Sequence, residues 1–437
     1  MTLRAVTAPL DPALADVAHV LRRTTFGPFP GQTERALTRH GSARGVIEAQ
    51  LAAPPLPFRP YVNDPALPRG GAVEIDGIDG EDLRYYMGFR DWWVQRMRSD
   101  DAALHEKMMW FWHSHFTTSA TKVDTTNLCW RQIRTLHQHA LGNFAELTKA
   151  MSVDGAMLRY LDGSGSVASA PNENYARELM ELFTLGFDKF RQADVVAAAK
   201  VLSGWFVYPD QRVEFQPEHA NTTPVTVLGR TGVNSIDDLI AAILAQDTCA
   251  TFVVGRLWRF LIGGDVDPAA VGRFAAAFRS SGYEIAPLVA AMLHSDEFMA
   301  HRQSRARTPI EWHAATVRGV GLPLTDATGL QQLGQTPYMP PSVAGWPGDA
   351  TWLSPTQLLA KSRFISGIEF PAADELGRAT DIVAAIVDRF ALHGISDASR
   401  SSLRDLDQRL RHTTVDDRGR AKRVMALALL TPEFSLA

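Results

Sequence analysis

This sequence predicts an all-α fold: a mostly helical, multi-helix, bundle-like array with long irregular loops and one short hairpin. Three observations point there. Apolar residues recur at the helical period almost everywhere, whereas period-2 alternation is scarce. The interruptions are long Pro- and Gly-rich stretches rather than hairpin turns. Apolar content of 46% against 21% charged supplies a large core, and 437 residues exceed the size at which a single core stops growing.

The elements follow in order. Asp11 then Pro12 is a helix-opening pair, so the first helix takes 12–24, and a second covers 32–52. "APPLPFRPYVNDPALPRGGAVEIDGIDG", ending at 80, reads as a long irregular connection of the kind that is usually functional or mobile. Helical patterns follow at 81–99, 102–116, 124–142, 143–152, 173–185, 191–204, 235–247, 249–262, 267–281 and 284–294. They resume at 308–320, 355–367, 380–391, 398–411 and 416–431. Residues 206–232 suit a short hairpin or extended loop, and 334–354 suit no regular structure. The expected organisation is a helical segment at 1–53, a loop at 54–80, a core region at 81–232 and a C-terminal helical region at 233–437. "LVAAMLHSDEF" and "VMALALLTPEF" echo one another: in each an apolar helix runs into a hydroxyl residue able to cap a new turn. Two similar helix endings explain this more simply than a duplicated unit.

Composition excludes several function classes. A net charge of −4 gives no global reason to expect nucleic acid. Two cysteines rule out a disulfide framework and an all-cysteine metal site. No apolar run reaches signal-peptide or membrane-span length, so the expected location is cytoplasmic. Phosphate-loop, nucleophile-elbow, HExxH and CxxC signatures are absent. "GSGSVASAPNEN" precedes a helix start where an anion can lodge, but it lacks the lysine of a nucleotide loop.

Two segments carry chemistry. In "PNENYARELMELFTLG" (171–186), Asn172 can cap a helix that Gly186 ends. Asn174, Arg177, Glu178 and Glu181 share one arc of it, with Tyr175, Leu179, Leu182 and Phe183 opposite. In "KMMWFWHSHFTTS" (107–119), apolar residues surround His113 and His115 on nearly every side. On an unbroken helix those histidines point about 200° apart; a helix ending near His113 lets them converge. With Glu178 and Glu181 facing them they become a candidate divalent-metal or acid–base site. The plainer readings are core histidines with satisfied hydrogen bonds and a solvated charged stripe. Weaker candidates are Arg22 and Arg23 as an anion-binding fork, His219 in a loop, and Trp205 and Trp346 as stacking platforms. A surface arginine pair and tryptophans plugging loops onto a core are the simpler accounts.

These segments resemble the bacterial family known as domain of unknown function 1800 (DUF1800). Its pattern stands here as "VLRRTTFGP" (20–28), "MWFWHSHFTTS" (109–119), "PNENYARELMELFTLG" (171–186), "LSGW" (202–205) and "GWPGDATWL" (345–353). The resemblance implies one continuous, mostly helical unit from about residue 18 to the C-terminus. It also implies a partner, since members are often encoded beside a sulfatase-like protein. It implies no reaction. The family's Asp-Pro before "YLD" is Asp154-Gly155 here, and its His-Asp after "GW" is His219-Ala220. The function expected is therefore an enzyme, with or without a metal, with His113, His115, Glu178 and Glu181 as ligands or acid–base groups and Asn172, Asn174 and Arg177 orienting substrate. The rival expectation is a non-catalytic helical scaffold that docks a partner protein or saccharide through its tryptophan-bearing loops.

Overall fold

The computed structural model describes residues 11–58, 80–99, 104–323, 327 and 329–437. Most of the long Pro- and Gly-rich connection, residues 59–79, lies outside the described residues, as do 102 and 103 at the start of one expected helix. Among the described residues 61% are helical, and the strands form two small antiparallel pairs. The all-α prediction holds.

Local signals place many boundaries. Asp11 accepts the amides of Ala13 and Leu14 and so starts the Pro12–Thr24 helix. The single helix expected over 32–52 is two, Gln32–His40 and Ala43–Ala52, because Ser42 caps a new start by accepting the Gly45 amide. The echoed endings are also real: Ser295 accepts the Phe298 amide and Thr431 the Phe434 amide, each opening a short helix whose phenylalanine is buried. Where one hairpin was expected there are two, Trp205–Val207 with Val213–Phe215 and Val225–Val227 with Arg230–Val233. The 334–354 segment is irregular apart from a 3₁₀ stretch at Asp349–Leu353.

Two apolar cores organise the helices. The larger draws residues from Val17 to Tyr338, and the smaller from Trp312 to Phe434. The Pro309–Val320 helix contributes to both and is buried along its whole length. The boundary expected between 232 and 233 falls inside the larger core, which contains Val227, Val233 and Leu239 together. Among the described residues no single helix is long and apolar enough to cross a membrane. The helices Ile236–Leu244 and Asp247–Ile262 would reach that length only as a pair, and they bend by 78° where they join.

Charge is buried where the cores meet. Glu311, in the first turn of the Pro309–Val320 helix, closes a capping box with Thr308. Arg305 binds both its oxygens, at 2.9 and 2.7 Å, and Lys107 binds it from the Leu104–His115 helix. Burial alone would raise the Glu311 carboxyl, but Arg305 and Lys107 overcome it and hold the group well below the carboxylate range.

Candidate functional site

The Leu104–His115 helix runs unbroken through Ser114, so its two histidines diverge. His113 faces the irregular 334–354 segment. Its Nε2 accepts the Tyr338 backbone N–H at 3.1 Å, and its ring lies 4.3 Å from that of Tyr338 and 5.5 Å from that of Trp346. His115 faces away, among Phe111, Phe116 and Phe183, and its Nε2 meets the Phe183 carbonyl at 2.8 Å. A carbonyl only accepts and an amide N–H only donates, so His115 carries its proton on Nε2 and His113 on Nδ1. Burial pushes both imidazoles down to about 3, so both are neutral at pH 7.

The expected metal centre is therefore not assembled. Among the described residues, no three of His113, His115, Glu178 and Glu181 bring ligand atoms within 4.8 Å of one another. The expectation needed the helix to end near His113, and buried packing carries it on to His115.

The polar helix is Glu173–Glu181, shorter than the 173–185 expected, and Gly186 (φ +89°) closes the wider turn that follows. Asn172 caps it through the Asn174 amide at 2.8 Å, and Asn174 donates to the Leu161 carbonyl at 3.1 Å. Arg177 donates to Gln192 at 2.7 Å and pairs with Glu173 at 3.6 Å, while Gln192 donates to Glu173. Asn172, Asn174 and Arg177 thus hold the helix to its neighbours rather than standing ready for a substrate. Glu178 and Glu181 remain. Both are half-buried, and neither carboxylate makes a hydrogen bond or ion pair with any described residue. Burial and then the charge of Glu181 raise the Glu178 carboxyl, with Arg177 opposing. Burial, and then the charge of Glu178, raise the Tyr160 phenol.

The weaker candidates are structural. Arg22 and Arg23 are buried: Arg22 donates to the Ala391 carbonyl, and Arg23 to the His301 carbonyl and the Ser304 hydroxyl, so they form no surface fork. Trp346 packs on Trp110 at 5.3 Å and Trp205 on Phe215 at 5.2 Å, which makes them plugs rather than platforms. His219 is exposed, with its ring 5.2 Å from Phe206 and its carbonyl accepting the Ala168 amide. The 163–170 loop is occupied against the first hairpin: Gly165 donates to the Trp205 carbonyl, and Ser166 accepts from Asn172.

Sequence reasoning missed three groups. Asp154, noted only for its departure from the family pattern, is buried and N-caps Gly155–Tyr160. Burial pushes it up to about 7 although Met157 and Gln132 donate to it. The trio His105, Glu106 and His137 has metal-ligand proximity. However, Arg96 pairs with Glu106, His105 donates to the His137 carbonyl, and His137 donates to the Leu56 carbonyl. With Arg96 also bonded to Pro57 and Leu56, that trio clasps the chain before residue 59. The third group, Glu34, Asp388 and His393, comes from opposite ends of the chain. No sequence spacing signals a convergence of that kind.

A family model described as a protein of unknown function, DUF1800, matches residues 19–436. No curated protein and no solved structure matches. A match over nearly the whole chain, together with the motifs placed above, shows that this protein belongs to the DUF1800 family.

Proposed function

We propose that the protein is an enzyme that works by acid–base catalysis through Glu178 and Glu181. One observation supports this reading: these two carboxylates are unpaired on a face whose other polar side chains are all bonded. Two half-buried carboxylates three residues apart repel each other and oppose stability, a pattern that concentrates at functional sites. Glu178, raised toward its protonated form, is the general acid, and Glu181 is the base, with Tyr160 beside them. His113 and His115 position the flanking segments and touch no substrate. A cytoplasmic location belongs to the same proposal; Cys129 and Cys249 are both buried and make no disulfide.

The test is a panel of chromogenic glycosides, esters and phosphoesters assayed with the wild type, Glu178→Gln and Glu181→Gln. Each substitution is expected to lower turnover by about 10²–10⁴-fold without lowering the thermal midpoint. Turnover that survives both changes overturns the reading.

A second reading, a non-catalytic module that docks a partner, is favoured by one observation. The Pro355–Ser366 helix leaves Leu358 and Leu359 51% and 52% exposed, beside a cavity of about 700 Å³ lined by Gly329, Gln332, Ala360 and Phe364. In that reading the occupant is an apolar segment of the sulfatase-like partner. Leu358→Glu with Leu359→Glu would then abolish copurification, and Glu178→Gln would not.

A further inference from the structure

We propose that Glu34, Asp388 and His393 form a binding site for a divalent transition-metal ion of the zinc type, which ties the N-terminal helices to the C-terminal ones. Glu34 lies in the first turn of Gln32–His40, Asp388 in the last turn of Ile382–Arg389, and His393 in the turn beyond. That turn doubles back, with the Leu392 amide donating to the Val387 carbonyl. Arg22 of the first helix donates to Ala391 within it. One ligand atom from each of the three residues lies within 4.8 Å of the other two. Ligands about 2.0–2.2 Å from a common ion sit up to about 4.4 Å apart, so small rotamer changes close the set.

Two orphaned atoms belong to side chains of the cluster. The His393 side chain is only 6% exposed, and its Nε2, 3.4 Å from Glu34 Oε1, has no hydrogen-bond partner. Glu34 Oε2 is buried and has none either. Buried polar atoms are nearly always paired, and two orphans on neighbouring side chains from different elements ask for a third party.

The surroundings favour a positive guest. Asp11 and Asp381 add to Glu34 and Asp388, against Arg22 and Arg400. One imidazole with two carboxylates suits zinc, manganese or ferrous iron better than calcium, which takes oxygen ligands throughout. Asp388 is exposed, which leaves an entry path and room for water to complete the shell. The other trio differs here, because Arg96 already neutralises Glu106.

Chelator-stripped protein without a histidine tag is titrated with Zn²⁺ against a chromogenic competitor, as wild type, His393→Ala, Asp388→Asn and His105→Ala. Wild type and His105→Ala are expected to bind one equivalent, with affinity about tenfold or more weaker in His393→Ala and Asp388→Asn. Saturating Zn²⁺ is expected to raise the wild-type unfolding midpoint by several degrees and leave that of Asp388→Asn nearly unmoved. The exposed Asp388 keeps the experiment decisive should His393→Ala fold poorly. No binding by wild type, undiminished binding by Asp388→Asn, or binding lost only in His105→Ala overturns the proposal.

Discussion

His115 donates its Nε2–H to the carbonyl of Phe183 across 2.8 Å, joining the buried helix to the chain just beyond the polar one. The bond explains why a polar ring is tolerated amid phenylalanines. His115→Leu leaves that carbonyl unsatisfied and is expected to cost about 1–3 kcal/mol in chemical denaturation. Zinc affinity measured on the same variant is expected to be unchanged.

Acid sensitivity should follow from the same histidines. Both fold with pKa values lowered to about 3, against about 6.5 unfolded, so the unfolded chain binds more protons between those values. Their stabilising effect is complete above about pH 6.5 and is lost as pH falls toward 3. Each contributes a slope of about 1.4 kcal/mol per pH unit in that window. Denaturation of His113→Gln from pH 4 to 6 should show a slope reduced by one proton, and an unchanged slope contradicts the assignment.

Glu311 carries the ionic junction between the cores. Glu311→Ala takes the carboxylate away from the buried Lys107 and Arg305 cations and is expected to destabilise the protein by about 3–5 kcal/mol. Replacing an exposed partner such as Asp162, which pairs with Lys122, should change stability by about 1 kcal/mol or less in the same assay.

Glu178 predicts the opposite sign. Its folded pKa is raised, so its stabilising contribution is present below the unfolded value and lost as pH rises through the folded one. Glu178→Gln should therefore leave the thermal midpoint at pH 7 unchanged or slightly higher, and on the proposed function it lowers turnover by about 10²–10⁴-fold. Carboxyl ¹³C titration should place Glu178 above the ordinary range and show it falling back in Glu181→Gln.

Gly345 gives the "GWP" motif a physical role. At φ +84° it presses on the end of the histidine-bearing helix, where an added Cβ would meet the Ser114 carbonyl at 2.8 Å and Thr117 Oγ1 at 2.9 Å. Gly345→Ala combines an unfavourable backbone region with a clash against main chain, for about 1–3 kcal/mol or more. A thermal midpoint equal to wild type would contradict this.

The sequence by itself determined the local features of this protein. Asp11, Ser295 and Thr431 were readable as caps because capping acts over two or three residues, and the helical period showed the all-α class because it repeats within one turn. It also exposed the family through ordered motifs. Only the tertiary structure decided what the polar side chains do. Whether His113 and His115 converge depended on two more residues of helix, which packing from distant segments supplied. Arg22 and Arg23 read as an anion-binding fork or a surface pair, but both are buried and donate to the carbonyls of Ala391 and His301. Glu34 met His393 only because the C-terminal helices fold back against the N-terminal ones. Such partnerships form between residues 68 to 369 positions apart, where no short-range propensity acts and burial selects the contact.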